Sequence, residues 1–324
     1  MNEETFMSPL ASQFQRFLHF KRAVGYRYGT QEGELRRLDR FLRSHLDPDS
    51  PVITDALARA YMALIGKNGI DSLNVLRQFC RFLALEEPQT FIPPRGFLGI
   101  RRRLFVPRIL TRNEGRRFVE ACVRLPAVPW SPLRGMVHGT MFLLLYLSGM
   151  RVGEALSLNQ EDVDLANEVI RVRQGKFRKS RLVPIAQDLT KRLKQCRLFV
   201  EGSFGVRPPD ACFFPGPNGS RCRRHALWSS FRKVLTEAGI AQMSAGKHLR
   251  LHDLRHAFAV HRMMLWYEQG ADLGAQLPLL ATYLGHVGLS GSQYYLRLTE
   301  DLVGVILNRY QERFGHLIKE RRRA

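Results

Sequence analysis

The sequence has no long apolar run. The longest, Met141 to Leu147, is seven residues, far short of the ~20 needed to cross a bilayer. The opening residues place Glu3 and Glu4 before Phe6, without the basic and then apolar layout of a secretory signal, so a soluble, cytoplasmic protein is expected. Cysteine is scarce: Cys80, Cys122, Cys196, Cys212 and Cys222 are scattered, with no Cys-x-x-Cys pair. Reduced thiols are therefore expected, and no disulfide framework. Cys212, Cys222 and His225 do not make the four close ligands of a structural zinc. Neither a Walker-type loop nor an acidic metal cluster occurs, so no cofactor and no metal site are expected.

Acidic residues are also few, 29 against 50 Lys and Arg, for a net charge of +21. The excess is unevenly placed. Residues 1–90 hold 12 basic and 11 acidic side chains, whereas residues 91–324 hold 38 and 18. The C-terminal two-thirds is thus the part suited to a polyanion. At 324 residues with 45% hydrophobic composition, the chain can build two cores.

Residues 8–46 read as two helices, broken at Gly25 to Gly29, with Phe14, Phe17, Leu18, Leu35, Leu38, Phe41 and Leu42 at helical spacing. Thr54 and Asp55 can start a third helix through Leu64, and Ile70 to Leu85 reads as a fourth. This predicts a helical domain over 1–90. The pattern stops near Pro93-Pro94, and 91–110 reads as a basic linker carrying Arg101, Arg102 and Arg103, candidates for phosphate contact. Thr111 and Glu114 form a capping box. Met136 to Leu147 is a core helix, and Arg151 to Leu158 another. Strands are expected over 169–173 and 181–185 around a cationic tip, 174–180. Helices are expected over 188–200, 225–238, 253–266, 276–284 and 300–318.

Two strings carry the chemistry: Ser148-Gly149-Met150-Arg151-Val152-Gly153-Glu154 and His252-Asp253-Leu254-Arg255-His256. His252, Arg255 and His256 share one face of a helix, and His252 falls at its first turn, where backbone N–H groups favour an anion. Arginines match phosphate oxygens, and histidine moves protons near neutral pH. Glu154 can hold the Arg151 guanidinium or bond nearby backbone. Downstream lie Leu284-Gly285-His286 and the pair Tyr294-Tyr295, a tyrosine being a possible covalent nucleophile. Each string alone is short enough to arise by chance.

The ordered set resembles the tyrosine recombinases, the phage-type integrases and Xer-like resolvases, over about residues 111–310. Ser148 to Glu154 is similar to their first-arginine box, Gly175-Lys176 with Arg181 to Ile185 to their lysine hairpin, and His252 to His256 to their best-known string. Tyr295 lies nine residues after His286, the spacing seen in the family. The resemblance implies a mainly α fold with a small β-sheet: a helical core-binding domain over 1–90 and a mixed α/β catalytic domain over 111–324. It implies site-specific recombination of double-stranded DNA through a 3′-phosphotyrosyl link, on a synaptic tetramer, with accessory or partner recombinases possible. It assigns catalysis to Arg151, Lys176, His252, Arg255, His286 and Tyr295, with Glu154 and His256 in support. Arg178, Lys179 and Arg181 are further candidates for DNA contact. Lys179 is an alternative to Lys176, because Phe177 stands where glycine commonly follows the lysine, and Tyr294 is the alternative to Tyr295. A type IB topoisomerase-like relaxing enzyme and a silent DNA-binding relative are the competing activities. The apolar stripe Leu302, Val305, Ile306, Leu307, Tyr310, Phe314 and Leu317 can pack on its own domain or on a neighbouring protomer.

Overall fold

The computed structural model describes residues 6–26, 28–49, 51–66, 69–99, 107–173, 180–240 and 249–285. It divides into two compact units, Met1–Leu104 and Phe105–Ala324.

The first unit is helical: α1 (Ala11–Ala23), α2 (Gly29–His45), α3 (Asp55–Ile65) and α4 (Ile70–Leu83). The break between α1 and α2 is a turn in which Gly25 and Tyr28 both take positive φ. Rings fill the centre, with Phe14 stacked on Phe79 at 4.0 Å and Phe17 edge-on to both Phe79 and Tyr28. Buried Asp39 of α2 accepts the backbone N–H groups of Met7 and Ser8 at 3.0 and 2.9 Å, tying down the segment before α1. Thr54 caps α3 by accepting from the Leu57 N–H.

The expected linker over 91–110 is shorter than its composition suggested. The Phe91 N–H donates to the Ile53 carbonyl, the Arg77 guanidinium donates to the Pro93 and Pro94 carbonyls, and Phe91, Phe97 and Leu98 pack on the first core. At the far end Leu110 is buried in the second core. Proline removes donors but leaves carbonyls, and Arg77 satisfies them.

The second unit contains α5 (Arg112–Val123), α6 (Arg134–Ser148), α7 (Val152–Ser157), β1 (Val163–Asp164), β2 (Val169–Val172), β3 (Arg181–Pro184), α8 (Gln187–Phe204), α9 (Ala226–Glu237), α10 (Asp253–Glu268) and α11 (Leu273–Leu284). Apolar on nearly every face, α6 is the central helix and packs against α5, α7, α8, α9 and α10. The capping box of Thr111 and Glu114 is formed at the start of α5. The sheet is antiparallel in the order β1-β2-β3, with Ile170 opposite Val183 and Val172 opposite Arg181. Strand β1 and the first turn of α11, ahead of Pro278, lay outside the sequence reading. The fold is thus mainly α with one small sheet. The expected helix over 300–318 and the apolar stripe on it lie outside the described residues.

All five cysteines are free and buried. Among the described residues no helix is long and apolar enough to cross a membrane, and no group of three His, Cys, Asp or Glu could hold a metal ion.

Candidate active site

The site is built where four chain segments meet: the α6–α7 turn, the start of β3, the start of α10 and the C-terminal end of α11. Gly149 ends α6 in the left-handed region, at φ 62°. A Cβ there would stand 2.5 Å from the Phe258 ring, so glycine is demanded by both backbone and space. This sharp turn puts Arg151 at the N-cap of α7.

From there the Arg151 guanidinium donates to Glu154 Oε1 at 2.7 Å through Nη1, and to the Gly285 carbonyl at 2.9 Å through Nη2. Arg255, one turn into α10 and only 2% exposed, donates to the Gly149 carbonyl at 2.7 Å and the Leu284 carbonyl at 2.6 Å. Arg181 donates through Nε to the Tyr283 carbonyl at 2.8 Å. Three arginines therefore grip the consecutive carbonyls 283, 284 and 285. These are the last carbonyls of α11 and its cap, which lack intrahelical partners and carry the negative end of the helix dipole. The next residue in the chain is His286.

Glu154, 7% exposed, organises the group. Its Oε2 accepts the Arg151 backbone N–H at 2.9 Å, and its two oxygens take a bidentate pair from Arg181 at 3.0 and 2.9 Å. Burial raises the Glu154 pKa, but the Arg181 fork and the Arg151 contacts outweigh it and hold the carboxyl down at about 2. At neutral pH the acid is therefore charged.

His252 stands at the N-cap of α10. Surrounding protein and then the Arg255 charge, with Arg250 and Arg151 adding, pull its pKa below the ordinary imidazole value, against a weaker upward pull from Asp253. Its ring is nevertheless open to solvent, and at neutral pH the imidazole is available as a proton acceptor. His256 meets His252 edge-on at 4.9 Å between ring centres. Burial first, and then His252, pushes His256 down to about 4, which keeps it neutral. Asp253, 1% exposed, accepts from the backbone N–H, Nε and Nη2 of Arg250, fixing the turn that carries His252.

Of the residues singled out from the sequence, Arg151, Glu154, His252, Arg255 and His256 come together here. Lys176, Arg178, Lys179, His286, Tyr294 and Tyr295 lie outside the described residues, as do Arg101, Arg102 and Arg103. Arg181 requires correction. Expected on DNA, it is turned inward, 12% exposed, with each of its three guanidinium nitrogens donating to protein acceptors. The signal was present in strand alternation: Arg181 shares its face of β3 with fully buried Val183, while Leu182 between them points out. Arg250 with Asp253 was also missed. Its trace in the sequence is an Arg-x-x-Asp spacing, opposite charges three residues apart at a turn.

Comparison with known proteins gives the same identification. The model of the phage integrase family matches residues 108–301. A protein named putative integrase/recombinase y4rE, from Sinorhizobium fredii, is 37% identical over 304 residues, covering 93% of this chain and 95% of its own. The tyrosine recombinase XerD of Staphylococcus saprophyticus is 26% identical, covering 95% of this chain and all of its own. Among solved structures, the Tn1549 transposon integrase in complex with transposon right end DNA shares the fold at a TM-score of 0.62, with 15% identity over 94% of this chain and 99% of that one. The XerH site-specific recombinase bound to palindromic difH substrate shares it at 0.60, with 18% identity over 86% and 78%. With a family model spanning more than half of its length and a relative above one-third identity along nearly all of it, the chain belongs to the phage integrase family, the tyrosine recombinases.

Proposed function

We propose that this protein is a site-specific recombinase that cuts and rejoins double-stranded DNA through a 3′-phosphotyrosyl intermediate. The observation that carries the proposal is the convergence of Arg151 and Arg255, from the starts of two helices, on the end of the helix that runs into His286. An always-charged pair held in place before substrate arrives suits a reaction whose transition state gathers negative charge on phosphate oxygens.

In this reading Tyr295 Oη attacks phosphorus and forms the 3′-phosphotyrosyl bond as the bond to the 5′ oxygen breaks. Neutral His252 accepts the tyrosine proton, and Lys176 supplies a proton to the leaving 5′ oxygen. Arg151 and Arg255 hold the non-bridging oxygens and His286 hydrogen-bonds the phosphate. Reversal by the 5′ hydroxyl of another strand rejoins the backbone without external energy, because the phosphotyrosyl link conserves the phosphodiester energy. All the cations are side chains, so the chemistry requires no metal or nucleotide. The unit carrying residues 1–90 acts as the core-binding domain and the 111–324 region as the catalytic domain. Strand exchange takes place on a tetramer, and the 302–317 stripe packs either on its own domain or on a neighbouring protomer. The protein works in the cytoplasm, on the nucleoid. Its relatives' names, integrase and Xer recombinase, favour exchange over simple relaxation.

The test is covalent trapping. Purified protein is incubated in EDTA with DNA from its own genomic surroundings, denatured in SDS and examined for protein-linked DNA, beside Tyr295→Phe and Tyr294→Phe. An SDS-stable adduct lost only in Tyr295→Phe is the expected result, and sequencing the attached DNA locates the site. Adduct lost only in Tyr294→Phe moves the nucleophile by one residue. Binding with no adduct points to a silent DNA-binding protein, and adduct with relaxed but unexchanged products to a topoisomerase-like activity.

A further inference from the structure

Arg181 is a long, permanently charged side chain at an inward position of β3, where packing alone asks only for something apolar. Replacing a buried ion pair by well-packed hydrophobic residues is often neutral or stabilising, so the charge calls for a reason beyond stability. Its contacts supply one. The Nη1 and Nη2 groups form a fork on Glu154 at 3.0 and 2.9 Å, and Nε reaches the Tyr283 carbonyl at 2.8 Å. One guanidinium thus joins β3 to α7 and to the end of α11. Strand β3 is the one that follows the 174–179 segment carrying Lys176. Gly285 accommodates this arrangement, since a Cβ there would lie 3.0 Å from Arg181 Nη1.

The consequence falls on Arg151. Its guanidinium meets Glu154 through Nη1 alone, on Oε1. The remaining acceptor capacity of the carboxylate is taken by Arg181 and by the Arg151 backbone N–H. Two arginines against one carboxylate leave the trio with a net positive charge. Without Arg181 the remaining pair would be neutral, and Glu154 would be free to draw both Arg151 amino groups onto itself and away from a phosphate.

We propose that Arg181 is a positioning residue for strand cleavage: it occupies Glu154 and holds the end of α11, so that Arg151 keeps its charge and orientation for the scissile phosphate. This rests on the recombinase reading above. Arg181 does not itself touch DNA.

Two variants test it. Arg181→Met keeps the stem and removes the charge, and Arg181→Lys keeps the charge and removes the fork. Three quantities are measured on a DNA substrate that traps the adduct: affinity across salt concentrations, the single-turnover rate of adduct formation, and the pH profile of that rate. Thermal unfolding sets the folded fraction used to normalise every rate. For Arg181→Met the expected result is a cleavage rate lower by about 10- to 100-fold, the scale of a misplaced reacting group. Affinity and salt slope stay as in the wild type. The acid limb of the rate profile moves to higher pH, because Glu154 loses its Arg181 partner, leaving Arg151, by side chain and backbone, to face it. Arg181→Lys falls between, with its acid limb partly restored, and carries the test if the methionine variant does not fold.

A salt slope lower by about one with weakened affinity would mean a phosphate contact and would overturn the proposal. So would a cleavage rate per folded molecule, and a pH profile, equal to those of the wild type, which would leave Arg181 a structural ion pair only. Absence of any Tyr295-dependent adduct in the wild-type protein is a separate outcome, and sinks the recombinase reading itself.

Discussion

At the centre of the Met1–Leu104 unit, the side chains that meet are rings: Phe14 on Phe79 at 4.0 Å, with Phe17 edge-on beside them. Around the ends of α7, α10 and α11 in the second unit, the side chains that meet are ions: Arg151, Arg181, Arg255 and Glu154, held to each other and to backbone carbonyls. The first arrangement gains from leaving water and asks little of geometry. The second gives up hydration of four charges and recovers it only if every donor finds an acceptor. Ring packing makes a domain stable. A charge cluster of this kind makes a site that is already arranged when the substrate arrives.

Deletion in the ring core should break the comparison on the stability side alone. Phe14→Ala is expected to destabilise the first unit by about 3–5 kcal/mol, read by urea unfolding, while the cleavage rate of the molecules that remain folded stays at the wild-type value. Arg255→Gln should do the reverse and lower the rate of adduct formation by about 100- to 1000-fold, with DNA affinity largely retained. Equal rates in Arg255→Gln and wild type would remove this residue from the chemistry.

Smaller changes sharpen the contrast. Gly149→Ala forces a side chain into a left-handed turn and against Phe258. It should cost about 1–3 kcal/mol, and should also slow cleavage, because Arg255 holds the Gly149 carbonyl. Glu154 gives a pH signature. Its folded pKa of about 2 lies below the ordinary 4.5, so its contribution to stability is fully present above pH 4.5 and is lost as pH falls towards 2. The stability difference between wild type and Glu154→Gln should shrink over that window, measured by thermal unfolding in buffers across it. At the small end, Thr111→Ala removes the α5 cap and should cost about 1 kcal/mol without a change in cleavage rate.

What could be read along the chain had local causes. The capping box at Thr111 and Glu114, the Thr54 cap and the Gly25 to Gly29 break each operate across a few residues, and the helices begin and end close to them. The short β1 lacked length enough to register as a period, and the helix expected over 276–284 begins three residues earlier, at Leu273, where Asp272 caps it by accepting from the Gly274 N–H. Proline and arginine composition marks 91–110 as a linker but does not reveal that Arg77 collects the Pro93 and Pro94 carbonyls. Arg181 beside a cationic tip suggests DNA, whereas the alternation along β3 puts it on the face of buried Val183, and only the fold supplies the carboxylate and carbonyl that receive its charge there.

The sequence by itself determined the helical segments, the concentration of positive charge after residue 90, and the order of the boxes holding Arg151, His252, Arg255, His286 and Tyr295. Caps and periodicities act between residues three or four apart, so one dimension suffices to see them. Only the tertiary structure decided where the arginines point. The clamp joins Arg181 to Glu154 across 27 positions and Arg151 to Gly285 across 134. A guanidinium's choice between solvent, phosphate and a buried carbonyl depends on which acceptors the fold brings within 3 Å, and no local pattern encodes that.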